Sequence, residues 1–166
     1  MARSRRAKPQ DIHDIAVAMP GAQTYDAPLG NVVYQVRKKS FVYLRNPRPD
    51  ALDPATGKRL EDVVVLWVES EAEKQALVED PTTPFFTTSH FNGYAAVLVQ
   101  TSRIGELTRD ELAEAIADSW LSRAPKRMAA AWLAEHPPTA PPHRGWVSNG
   151  PPATRNNPTT GDGKPK

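Results

Sequence analysis

The chain predicts an α+β fold in which an antiparallel sheet built from hairpins carries helices packed on one face. Three observations predict it. Runs rich in Val, Tyr and Phe come in sequential pairs joined by short polar turns. Stripes of apolar residues at helical spacing follow capping signals before, between and after those runs. The order is helix, strands, helix, strands, two helices, with no internal repeat.

The first helix is read over residues 9–19, PQDIHDIAVAM. Pro9 suits a first helical position, where its missing N–H costs nothing. Ile12, Ile15, Ala16 and Met19 share one stripe, and Pro20-Gly21 ends it. Residues 31–45, NVVYQVRKKSFVYLR, read as a hairpin around Arg37-Lys38-Lys39-Ser40. A two-residue turn at Lys38-Lys39 puts Val36 opposite Phe41 and Tyr34 opposite Tyr43, with Val33, Val42 and Leu44 on the other face. Lys-Lys is a poor type I′ turn, because both central residues need positive φ, so a bulged or slightly longer turn is an equal alternative.

Residues 46–61 form a long polar loop with three prolines. Residues 62–68, DVVVLWV, are a near-continuous apolar run of the kind found in central strands. Ser70 and Glu73 make a capping box for a short helix over residues 70–80. Strands are expected over 84–88 and 94–100. Thr108 and Glu111 form a second capping box, opening a helix whose stripe is Leu112, Ile116 and Trp120. Pro125 breaks it and begins a last helix with Met128 and Trp132 on one face.

One domain is expected for 166 residues. Residues 1–8, MARSRRAK, read as a flexible basic arm; 9–136 as the folded domain; 137–166 as a disordered Pro-rich tail in which Trp146 alone could dock. The chain has no cysteine, which excludes disulfides and thiolate chemistry. No apolar run follows the basic start, so no signal peptide is expected, and none approaches a membrane span. A cytoplasmic protein without membrane attachment is the expectation.

The net charge of +2 hides segregation. The arm carries four positive charges and residues 137–166 carry four against one, which leaves −5 for residues 9–136. Within that domain, residues 35–60 hold seven basic side chains against two acids, and 61–118 hold three against twelve.

FFTTSHFNGYAAVLVQ at 85–100 raises the question of catalysis. Asn92-Gly93 between strand-like runs is a strong short-range hairpin signal. His90 can be read as a general base or ligand, with a pocket completed by Thr88 and Tyr94. A base needs a partner and a metal needs about three converging ligands. His13, His136 and His143 show no metal spacing to His90, and no nucleophile-elbow pattern is present. His90 reads better as a hydrogen-bonded structural residue. No enzyme activity, cofactor or metal is expected.

Three segments carry a resemblance: MPGA at 19–22, FFTTSHFNGYAAVLVQ at 85–100, and DSWLSRAPKRM at 118–128. The central one resembles the F-x-T-x-H-aromatic-x-G-aromatic…VLV block of the MmcQ/YjbR-like family. The last resembles that family's A-W-x-x-x-A-P-K-R helix pair, with Ser119 where Ala is usual. Lys39-Ser40-Phe41 is similar to its Lys-x-Phe hairpin. The resemblance covers residues 9–136. It implies a small α+β domain of frataxin-like or secretion-chaperone-like fold, and a double-wing DNA-binding arrangement. The 46–61 loop, the arm and the tail depart from the minimal pattern.

The expected function is therefore binding of double-stranded DNA by a basic β-hairpin wing together with the basic arm, without catalysis. The expected contacts are Arg37, Lys38, Lys39, Arg45, Arg48, Lys58 and Arg59, with Tyr34, Phe41 and Tyr43 interleaved, and Lys126 and Arg127 at the start of the last helix. Charged hairpin tips also serve solubility and blunt sheet edges. The alternatives are a protein-interaction or chaperone-like module, acting as a homodimer or with a protein partner, and a small-ligand binder around His90.

Overall fold

The computed structural model describes residues 4–28 and 30–136. Five strands form one sheet in the order β1-β2-β3-β4-β5, and every neighbouring pair is antiparallel. The strands are β1 (Ala22–Asp26), β2 (Val32–Val36), β3 (Lys39–Leu44), β4 (Val63–Trp67) and β5 (Ala96–Gln100). The helices are α1 (Pro9–Ala18), α2 (Glu71–Glu79), α3 (Arg109–Arg123) and α4 (Lys126–Glu135). This is the α+β architecture that the sequence predicts. No described helix is long and apolar enough to cross a membrane.

The helices form for the reasons read from sequence. Ser70 and Thr108 accept hydrogen bonds from the Glu73 and Glu111 N–H groups, and so satisfy orphan donors of the first turns. The Leu112, Ile116 and Trp120 stripe of α3 is wholly buried against β3 and β4. Trp120 donates its indole N–H to the Pro20 carbonyl at 3.0 Å, which ties α3 to the end of α1. Trp132 of α4 packs on Trp120 with ring centres 6.0 Å apart. Gly21 has φ +66°, and a Cβ there would lie 3.3 Å from Met128 Cε. A residue without a side chain therefore lets α4 close on the α1–β1 junction.

Two cores sit on the two faces of the sheet. On the helical face, Tyr34, Val36, Phe41, Val42, Val64, Leu66, Val97 and Val99 meet α1 and α3. On the other face, Val63, Val65, Ala96 and Leu98 meet Phe91, with Tyr43, Leu60, Trp67 and Phe86 packed around them. That second face is roofed by coil rather than helix.

Several expectations are corrected. β1 has no signature in the sequence, since AQTYD has little apolar content and four of its five residues are exposed. Of the two readings of the β2–β3 connection the bulged one forms, with its turn at Arg37-Lys38 and not Lys38-Lys39: both have positive φ, at 50° and 68°, and Val36 pairs with Lys39. A bulge beyond Gln35 and Ser40 then accommodates Phe41, so Tyr34 pairs with Val42 and Val33 with Tyr43. Tyr34 and Tyr43 thus lie on opposite faces. The bulge lets Phe41 and Val42 both join the helical-face core, where a regular alternation would send them to opposite faces.

Residues 84–88 are not a strand. Phe86 alone bridges to Leu98, and a 3₁₀ turn over Ser89–Phe91 follows. The tight Asn92-Gly93 hairpin does not form because tertiary contacts claim the segment. The ammonium of Lys74, wholly buried, donates to the Phe91 carbonyl at 2.7 Å and the Tyr94 carbonyl at 2.9 Å.

The basic arm is not free over residues 4–8. The Ala7 N–H bonds the Leu107 carbonyl and the Arg109 N–H bonds the Arg5 carbonyl, at 2.9 and 2.8 Å. Both Arg5 terminal nitrogens grip the buried Asp11 carboxylate at 2.7 Å. The Arg5 bonds, then the Lys8 N–H, hold the Asp11 carboxyl far below the ordinary range. Residues 1–3 of the arm and the whole 137–166 tail, Trp146 included, lie outside the described residues.

Candidate nucleic-acid interface

The structure divides the predicted basic residues into three groups. The first sits at the tip of the β2–β3 hairpin. Arg37, Lys38 and Lys39 are exposed, and none forms an ion pair among the described residues. Left-handed backbone costs a non-glycine residue roughly 1–2 kcal/mol, so two cations occupy a turn better suited to Asn-Gly.

Lys126 and Arg127 join this group from α4. Arg123 donates its Nε–H to the Ser40 carbonyl at 3.1 Å and stacks over Trp67 at 4.4 Å. It therefore pins the α3–α4 corner to β3 just beside the hairpin tip. Met128, one residue beyond Arg127, approaches Gly21, which also lies beside Val36, the residue next to the turn. Lys126 and Arg127 are exposed in the first turn of a helix whose N-cap, Pro125, supplies no side-chain bond. Unsatisfied N–H groups and two cations there present a positive terminus.

The second group lies at the other end of the sheet. Arg48, Lys58 and Arg59 are exposed in the loop beyond β3, about 20 Å along the strand from the turn. That loop is more ordered than its prolines suggest. Leu52 bridges to Arg59, and the Leu60 N–H bonds the Ala51 carbonyl at 2.9 Å.

Arg45 is the third case, and it corrects the sequence reading. It is buried and its Nη2 lies 2.6 Å from the Asp50 carboxylate. Its guanidinium also covers the Phe91 ring at 5.1 Å. Burial raises the Asp50 carboxyl, but hydrogen bonds from Thr88 and Arg45 outweigh it and leave it below its ordinary value. Arg45 is thus occupied with holding the 46–61 loop to the outer face and is not available to phosphate.

The pocket expected from Thr88, His90 and Tyr94 does not assemble. The Thr88 hydroxyl is spent on Asp50. His90 is exposed and lies edge-on to Phe91, with ring centres 5.1 Å apart. Tyr94 is 54% exposed. A groove of about 380 Å³ on this face has Thr88 in its wall, beside Asp53, Thr87 and Gln100, but neither His90 nor Tyr94. Among the described residues, no group of three or more His, Asp or Glu stands together to hold a metal ion.

Sequence reasoning missed the boundary of the cationic tip. Asp118 of α3 is half-buried, and its carboxyl is pushed up to about 7. Burial is the main cause, followed by the carboxylates of Glu73, Glu114 and Glu69. Glu69 follows β4 at the same end of the sheet as Ser40, so acid and base meet there. The run of acids in 61–118 is visible along the chain; their convergence on one α3 side chain is not.

The fold and this surface define a class: a small α+β domain with a five-stranded antiparallel meander, helices on one face and a cationic hairpin tip. A family model described as YjbR matches residues 17–122. The chain belongs to the YjbR family. Among similar curated proteins are uncharacterized proteins of Mycobacterium bovis and of Mycobacterium tuberculosis. Each is 44% identical over 73 residues, which is 44% of this chain and 54% of the relative. The chain thus spans about half the length of the curated relatives it matches. No solved structure matches it.

Proposed function

We propose that this YjbR-family protein is a non-enzymatic binder of double-stranded DNA. It grips the phosphate backbone with Arg37, Lys38, Lys39, Lys126 and Arg127. One observation carries the reading: five exposed cations from two elements distant in sequence share one end of the sheet without ion-pair partners among the described residues. The strained Arg37-Lys38 turn supports it, because a residue kept in a costly backbone conformation points to a use for its side chain. Arg45 is withdrawn from the interface, and Arg48, Lys58 and Arg59 belong to a separate patch.

Duplex binding titrated against salt tests it. Neutralising about five phosphates makes log K fall with log salt at a slope of about −4 to −5. Changing Arg37, Lys38 and Lys39 together to Glu abolishes binding, while the same change at Arg48, Lys58 and Arg59 leaves most of it. A salt-independent signal, or equal effects of the two triple variants, overturns the proposal.

A further inference from the structure

The two edges of the sheet are unlike. β5 is covered, because Phe86 bridges to Leu98 and α2 packs on the strand. Among the described residues, β1 has a partner on one side only. Gln23, Thr24, Tyr25 and Asp26 are all exposed, and the strand holds no Lys, Arg or Pro of the kind that blunts an edge.

The ladder fixes which β1 groups face outward. The Ala27 N–H bonds the Asn31 carbonyl at 2.8 Å, one step beyond the Asp26–Val32 pair. Hydrogen-bonded and non-hydrogen-bonded pairs alternate in an antiparallel ladder. Tyr25 and Gln23 therefore bond β2, while Asp26, Thr24 and Ala22 turn their N–H and C=O groups away from it. The Ala22 N–H agrees with this phase, since it bonds the Met19 carbonyl at 3.1 Å instead of β2.

We infer that β1 pairs with β1 of a second copy of this chain about a two-fold axis at Thr24, making one continuous sheet of two domains. An isologous interface needs a self-complementary strip, and this one is. Antiparallel pairing centred on Thr24 sets Thr24 against Thr24, Gln23 against Tyr25 and Ala22 against Asp26. The outward groups of Thr24 bond each other, and the outward Asp26 N–H meets the outward Ala22 carbonyl. No like charges oppose. Each Asp26 instead arrives beside the partner's Ala22, at the sheet end that carries the partner's Arg37 and Lys38. Tyr25, 52% exposed, supplies apolar surface at the same edge.

Light scattering on the full chain after size exclusion tests this. The expected result is a concentration-dependent species of twice the 18.3 kDa chain mass. Thr24→Lys places two like charges at the axis and raises the dissociation constant about tenfold or more, with circular dichroism unchanged because the side chain is exposed. In a chain with no other cysteine, Thr24→Cys is linked into a dimer by a short bis-maleimide, whereas Ala72→Cys on α2 is not. A monomer at high micromolar concentration, or a dimer indifferent to Thr24→Lys, overturns the inference. So does equal cross-linking at the two cysteines.

Discussion

The hairpin tip and the base of the same hairpin carry the same chemistry and use it oppositely. At the tip, Arg37, Lys38 and Lys39 stand in water without carboxylate partners among the described residues. At the base, Arg45 lies buried against Asp50 and Phe91 and fastens a loop. In sequence they form one basic run. In space, one end offers a charge to a partner and the other has consumed it. Net charge over a segment is therefore a poor measure of the field that segment presents.

The largest expected effect lies at the base. Arg45→Ala removes one member of a buried pair and leaves Asp50 uncompensated, which costs about 3–5 kcal/mol in denaturant unfolding. Arg37→Ala costs less than about 0.5 kcal/mol by the same measurement. Similar losses at both positions would erase the contrast. Next comes binding. In salt titrations with duplex DNA, Lys126→Glu with Arg127→Glu reduces the slope by about 2, one phosphate for each lost cation. Arg45→Met, which preserves packing better, leaves the slope unchanged. A slope that changed with Arg45 instead would reassign the interface to the base.

Asp118 sharpens the boundary of the tip. Its carboxyl is raised from 3.8 to about 7, so the folded state holds that proton more tightly than the unfolded chain does. Its contribution to stability is greatest below the unfolded value and is lost as pH rises between about 4 and 7. Asp118→Asn should accordingly unfold at higher temperature than the parent at pH 8. The gap should close near pH 4, where both forms are neutral. Asp50, Asp62 and Glu106 have lowered values and contribute in the opposite sense, losing stability as pH falls toward the acid range. Equal melting temperatures for the Asp118→Asn variant and the parent at pH 8 would show that Asp118 is not burdened by its neighbours.

The smallest effect concerns the turn. Arg37→Asn with Lys38→Gly supplies the residues a type I′ turn favours and should stabilise the fold by about 1–2 kcal/mol. It should also weaken duplex binding. A variant that gained stability and kept its affinity would remove the argument that strain is tolerated for function.

Much of this is legible along the chain. The α3 stripe, both Ser/Thr caps and the β4 run are local signals with one solution each, because periodicity and capping depend on residues within a turn or two. β1 is not legible: an exposed edge strand has no alternation to betray it. Residues 84–95 mislead for the opposite reason. Asn92-Gly93 is a valid hairpin signal, but Lys74, distant in sequence, captures the Phe91 and Tyr94 carbonyls, and the chain folds into a 3₁₀ turn instead. The candidate site is half legible. The sequence names each cation, but not which of them share a surface.

By itself, the sequence determined the class of fold, the helix starts, the larger core and the inventory of charge. Those follow from side-chain polarity at fixed spacing, and spacing is a property of the chain. The three-dimensional arrangement alone decided that the turn falls on Arg37-Lys38, that Arg45 is spent inside, and that Lys126 and Arg127 come round to join the hairpin. Each depends on contacts between distant segments, where burial and ion pairing compete, and no local pattern records the outcome.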